Sequence, residues 1–316
     1  MKPNSKRNSV VWPGGAQFAF TIFDDTDSQS LERGKPVYDL LYQLGFRTTK
    51  SVWVSQTSDQ QDRGGTCDDV EYLAWVKELQ AKGFEISWHM ASSTTSLRNK
   101  TIEGLEKFKK HFGEYPTSMA NHYDCDENIY FGDARVTGVN RLIYNFLTRF
   151  RNSNVFRGHV EGDELFWGDH CRSKIKYARN FVFEDINTLK QCPIMPYHDS
   201  ERPLVNKWFA ASEGANVTSF NDLLKENAID RLEREGGACI MYSHFGLGFY
   251  DERSRQLNDD FVRILNYISH KNVWLPTVSE LLDYLESVNG ERCISNYERF
   301  VIEMKWLKHK ILFGSA

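Results

Sequence analysis

Phe20-Thr21-Ile22-Phe23-Asp24-Asp25-Thr26-Asp27 sets a short apolar and β-branched run directly against three carboxylates in four residues. Such a run suits a buried strand. Acids at its end suit the carboxyl edge of a parallel sheet or barrel, where α/β enzymes place their chemistry. Within a regular strand Asp24 and Asp25 face opposite ways. Where the strand opens into a loop, both can reach one cleft. A polar turn after a strand is the plainer reading of the same residues.

Working outward, strands and helices alternate. Val37 to Leu44 reads as a helix ended by Gly45, and Thr48 to Ser55 as the second strand. A polar loop over Gln56 to Asp69 carries Gly64-Gly65. Asp68 or Asp69 then caps a helix with apolar positions Val70, Leu73, Ala74, Val76 and Leu79, stopped by Gly83. Phe84 to Trp88 is a third strand that delivers His89, and a helix over Ile102 to His111 closes at Gly113. This alternation predicts a parallel sheet or barrel. One domain is expected, a barrel over 1–290 with an insertion at about 123–195, followed by a tail over 291–316.

Composition narrows the function. A net charge of −4 with a pI near 6.2 argues against nucleic-acid binding, which needs clustered Lys and Arg. Met1 to Ser9 is basic and polar without an apolar core behind it, and no run approaches bilayer length. Six scattered cysteines without a CxxC pair fit a reduced, cytoplasmic protein.

Within the insertion, Val139 to Phe150 has helical spacing, and Lys174 to Val182 is a strand-like or helical piece. Asp163 to Asp169 is expected as a loop across the cleft mouth, and Trp167-Gly168-Asp169-His170 as loop. The tail, Tyr297 to Phe313, is a basic amphipathic helix with Phe300, Val301, Met304, Leu307 and Ile311 among lysines. It either lies on an anionic membrane or, more ordinarily, packs on its own domain or a second subunit.

Several motifs occur in an order that resembles the polysaccharide deacetylase (NodB-homology) family. They are Thr21-Ile22-Phe23-Asp24-Asp25, the strand Thr49 to Val54, Leu79 to His89, and Phe112-Gly113-Glu114-Tyr115-Pro116. Ile240-Met241-Tyr242-Ser243-His244 and Trp274 to Leu282 follow in place. The resemblance implies a distorted (β/α) barrel, often short of eight repeats, that removes acetyl groups from an N-acetylated saccharide or glycan precursor. It implies a divalent ion, zinc foremost, held weakly here. Asp24 would be the base that activates water, Asp25 and His89 metal ligands, and His244 the acid that protonates the departing amine.

Two departures from the family pattern stand out. Ser93 occupies the place of a second ligand histidine, and Asn121 the place of an arginine. His122 could supply the missing ligand, the alternative being a surface hydrogen-bonding histidine. Pro196-Tyr197-His198-Asp199 is expected where a late barrel strand ends, with Asp199 orienting His244. Asn121, Tyr197 and His198 are the expected substrate contacts. The rival readings are a carbohydrate-binding relative without catalysis and a glycosidase using Asp24 with Asp199.

Overall fold

A computed structural model describes residues 10–57 and 63–314. The basic stretch at 1–9 and positions 58–62 of the polar loop lie outside the described residues. The strands are β1 (Phe18–Asp24), β2 (Thr49–Val52), β3 (Glu85–Trp88), β4 (Ser118–Met119), β5 (Tyr177–Phe183), β6 (Lys207–Ser212) and β7 (Ala238–Ser243). All pair in parallel with their neighbours, and β1 closes the ring by meeting both β2 and β7. A small hairpin follows, β8 (Tyr250–Asp251) with β9 (Gln256–Leu257), and β10 (Val273–Trp274) runs beside the start of β1. The result is a distorted seven-stranded (β/α) barrel. Every residue of β1, β2 and β7 is buried, as expected of strands walled on both faces.

Around the barrel lie α1 (Leu31–Gln43), α2 (Val70–Ala81), α3 (Arg98–Phe112), α4 (Gly138–Leu147), α5 (Gly168–Lys174) and α6 (Thr188–Gln191). The remainder are α7 (Val217–Leu223), α8 (Glu226–Glu235), α9 (Asp259–Ser269), α10 (Val278–Asn289) and α11 (Asn296–Phe313). Local signals explain several ends. Asp69 accepts from the amides of Glu71 and Tyr72 and so starts α2. Gly113 takes the left-handed conformation that ends α3.

Other expectations shift. The first helix starts six residues before Val37, because Ser30 caps it by accepting from the Arg33 amide. Trp167-Gly168-Asp169-His170, expected as loop, opens α5, and Arg98 grips Asp169 there with bonds of 2.7 and 2.6 Å. The segment around Tyr197 does not end a barrel strand. It precedes β6 and meets Trp208 in an isolated antiparallel bridge.

The tail helix α11 docks on its own domain through Ile302, Trp306 and Leu307. Beneath it lies a fully buried ionic network. Asp199 Oδ1 accepts from Arg299 at 2.9 and 2.6 Å, and Asp199 Oδ2 accepts from Arg202. Arg202 also donates to Glu303 Oε1 at 2.8 Å, and Glu303 Oε2 accepts from the Thr137 amide and the Asn140 side chain. The network ties the approach to β6, the insertion and α11 into one unit. Among the described residues no helix is long and apolar enough to cross a membrane.

Breaking a buried charge network costs more than forming it gains, because the remaining ions are left without partners. Asp199→Ala should therefore lower unfolding stability by about 3–5 kcal/mol at neutral pH in urea titrations. Burial alone would raise the Asp199 pKa, but Arg202 and Arg299 outweigh it and leave it lowered. A lowered carboxyl stabilises above its ordinary pKa and loses that contribution as pH falls through its folded value. The difference between wild type and variant should therefore shrink in acid, and a constant or negligible difference would show that the network bears little of the fold's stability.

Candidate active site

The carboxyl end of β1 splits its acids between two environments. Asp24, the last strand residue, is 0% exposed and lies beneath the cleft. Its Oδ1 accepts from the Phe245 amide at 2.8 Å, and its Oδ2 from Gln29 at 2.9 Å and Tyr38 at 2.8 Å. The Lys50 ammonium lies 3.8 Å from the same oxygen. Burial raises the Asp24 pKa, and Lys50 with these donors only partly opposes it. The residue expected as the base is thus enclosed by protein donors.

Asp25 points the other way, into the cleft. Arg179 from β5 grips it bidentately, at 2.9 and 2.5 Å, while its guanidinium lies 4.3 Å from the centre of the Tyr242 ring. Burial alone would raise the Asp25 pKa, but Arg179, followed by His89, leaves it lowered.

Asp27 stands among three histidines. Its Oδ2 is 2.9 Å from His89 Nε2 and 3.6 Å from His244 Nε2, and its Oδ1 is 3.2 Å from His122 Nε2. His89 and His122 stack with ring centres 5.2 Å apart, and Trp53 covers His122 at 5.1 Å. Burial, with the His89 charge beside it, pulls His122 down to about 4, so its imidazole is neutral at pH 7. His244 Nε2 is 4.0 Å from Asp25. Its Nδ1 faces the Ala215 carbonyl at 2.7 Å, which fixes the proton on Nδ1 and turns Nε2 to the cleft.

The backbone makes these approaches possible. Met90, at φ 67°, turns the chain sharply after His89. A Cβ at Gly246 would sit 2.4 Å from the Ser28 backbone, so only glycine lets the loop after His244 lie on the Asp27-Ser28 turn.

A divalent ion fits this donor set. Oxygen or nitrogen atoms of Asp27, His89 and His122 lie within 4.8 Å of one another. His89 faces an acceptor at each ring nitrogen, Ala120 O from Nδ1 at 3.2 Å and Asp27 from Nε2. Either the ring is doubly protonated or a cation takes the place of the Nε2 proton. One carboxylate and two imidazoles suit zinc and similar ions.

Asp25, His89, His122 and His244 thus meet at one cleft of about 240 Å³. The other residues singled out from the sequence lie elsewhere or are otherwise engaged, each for a visible reason. Asp199 is held in the buried network under α11, not beside His244. Tyr197 is buried, and His198 Nδ1 meets the Asn206 carbonyl at 3.0 Å; neither lines the cleft. Asn121 lines it, but its amide is bonded both ways to the Ile129 backbone and closes a loop. Ser93 contacts Thr57, away from the cluster. None of Asp163 to Asp169 lines the cleft, whereas Tyr123, Phe131, Arg135 and Tyr144 from the earlier part of the insertion do. Sequence reasoning assigned no role to Asp27 or Arg179. A lone arginine inside the apolar run Tyr177 to Phe183 was the available signal for the latter.

No protein-family model matches the chain, and no curated protein matches it in sequence. Solved structures do match. The PuuE allantoinase aligns over 90% of this chain and 95% of its own, at 13% identity with a TM-score of 0.50. A protein of Mycobacterium smegmatis classed as a polysaccharide deacetylase aligns over 91% of this chain and 97% of its own, at 10% identity and a TM-score of 0.48. One of Pseudomonas aeruginosa PAO1, classed likewise, covers 88% and 94%, at 13% identity and 0.47. The chain has the NodB-like barrel fold.

Zinc titration followed by calorimetry should find one site in the wild type. Asp27→Ala, His89→Ala and His122→Ala should each weaken it at least about a hundredfold, the upper cost of losing even an outer-sphere partner. Asp25→Ala should cost less, since the Arg179 guanidinium already offsets the charge Asp25 would bring to an ion. Equal affinity in all five proteins would remove the cluster from metal binding.

Proposed function

We propose that the chain is a hydrolase that cleaves the C–N bond of an N-acyl group, releasing acetate from an N-acetylated saccharide. The observation that supports it most is the Arg179-clamped Asp25 placed 4.0 Å from His244, beside the Asp27, His89 and His122 cluster. Bound there by Asp27, His89 and His122, a divalent ion would polarise the acyl carbonyl and acidify water.

The chain's own groups divide the proton transfers. Arg179 keeps Asp25 ionised and aimed, so Asp25 accepts the proton of the attacking water. In its imidazolium form His244, with Nδ1–H held on Ala215, donates its Nε2 proton to the departing amine and is left as the neutral Nδ1–H tautomer. Asp24 takes the organising part, holding the His244 loop through the Phe245 amide. The base role expected of Asp24 passes to its neighbour in this reading, and the ligand role expected of Asp25 passes to Asp27. The glycosidase reading loses its support, because Asp24 and Asp199 are each consumed by buried donors.

Acetate release from N-acetylhexosamines and their oligomers, assayed with excess Zn²⁺ or Co²⁺, is the test. Asp25→Asn and His244→Ala should each lower turnover by about 10²–10⁴, the usual worth of a positioned base or acid. Arg179→Lys should also slow it, since a point charge cannot replace the bidentate grip. Saccharide binding without acetate release at saturating metal would favour the non-catalytic reading. Release that survives Asp25→Asn would overturn the assignment of the base.

A further inference from the structure

The cleft holds a second charged feature that the proposed chemistry leaves unused. Arg135 ends the short turn Gly132–Arg135, where its carbonyl accepts from Arg202 at 2.6 Å. Its guanidinium carbon lies 4.1 Å from the centre of the Phe131 ring and 5.1 Å from that of Trp306. The residue is only 7% exposed, yet it lines the cleft. Among the described residues no carboxylate pairs with this guanidinium, and none accepts a hydrogen bond from it. Lys310 of α11 lines the same cleft, and its ammonium lies 5.5 Å from the Trp306 ring centre.

Burying a cation without a counter-ion is costly, and two aromatic faces compensate only in part. Burial above all lowers the Arg135 pKa, and the like charges of Arg179 and Arg202 add to the effect. The acids of the cleft offer Arg135 no relief. Asp25 is taken by Arg179, and Asp27 by its histidines. An arginine fork held rigid between two rings, with its donors free, is built for a planar or tetrahedral oxyanion. A cleft of about 240 Å³, walled by α11 and the insertion, admits a small molecule more readily than a polymer.

We propose that Arg135, with Lys310 beside it, binds an oxyanion carried by the substrate, a carboxylate or phosphate on a small N-acylated molecule. The N-acyl part rests on the hydrolase reading above; the anion site does not.

Calorimetric titration with N-acetylglucosamine, N-acetylglucosamine 6-phosphate, N-acetylglutamate and inorganic phosphate separates the possibilities. A charge-assisted bond is worth about tenfold to a hundredfold in affinity. At least one charged acetylated probe should therefore bind at least about tenfold tighter than N-acetylglucosamine, weaken as salt is added, and be displaced by the matching free anion, phosphate or acetate. Which of the two charged probes does so distinguishes phosphate from carboxylate. Arg135→Gln should abolish the preference, and Arg135→Lys should keep part of it. If Arg135→Gln fails to fold, the charged-to-neutral ratio and its salt dependence in the wild type decide. Equal affinity for charged and neutral probes, no binding of any charged probe, or an unchanged preference in folded Arg135→Gln would overturn the proposal. Tight binding of a charged probe without acetate release would count against hydrolysis and leave the anion site standing. Acetate release from the neutral sugar with no charge preference would do the reverse.

Discussion

A carboxylate sealed under the cleft is the constraint on which the site depends. Asp24 joins four pieces of chain at one point: the end of β1, Lys50 on β2, Tyr38 on α1 and the Phe245 amide after β7. Of these pieces, the end of β1 and the segment after β7 lead directly into cleft residues, Asp25 and His244. A buried ion pair rarely repays its own desolvation, and apolar residues of similar volume often serve stability as well. What Asp24 supplies is position. With its oxygens fixed, Asp25 must emerge on the opposite face, and the loop carrying His244 must come down beside Asp27.

The same division of labour recurs around the rim. Acids and bases that face the cleft are oriented by groups behind them: Asp25 by Arg179, His89 by the Ala120 carbonyl, His244 by the Ala215 carbonyl. These orienting atoms sit on β5 and on the segments that follow β4 and β6, so barrel geometry is converted directly into side-chain geometry. Above them, α11 is fixed by Glu303 and Arg299 to the network centred on Asp199 and Arg202. That network is remote from the proposed proton transfers, but it anchors the helix that brings Lys310 to the cleft wall.

Much of this was readable from residues in order, and the failures have physical causes. The barrel followed from alternating apolar runs and glycine stops, because burial on both faces writes a continuous signal into β1 and β7. His89 and His244 were legible because each directly follows such a run. Among the three acids after β1, order along the chain singled out Asp24 and Asp25 and passed over Asp27. Order alone cannot say which carboxylate an arginine will claim. Arg179 lies 154 positions away from Asp25, and only closure of the ring brings the two together. Asp199 misled for a related reason: it follows an apolar stretch like a strand-end acid, but α11 folds back over it. Arg299 on that helix and Arg202 then supply its counter-charge.

The pairing of arginines with acids in this protein is selective, and the selection explains the cleft's character. Arg202 and Arg299 are spent on Asp199 and Glu303 in the buried network under α11. Arg179 is spent on Asp25 at the cleft wall. Once these matches are made, the acids near the cleft are satisfied, and Arg135 remains against its two rings in the lining of the same cleft. A purely structural arginine would have been closed by a carboxylate, as the other three are. Holding one open in a site that also gathers Asp27 and three histidines sets opposite charges along a single small cavity. In the proposed reading such an arrangement discriminates by polarity as well as shape, taking a molecule that presents an electron-poor carbonyl to one part and negative charge to another.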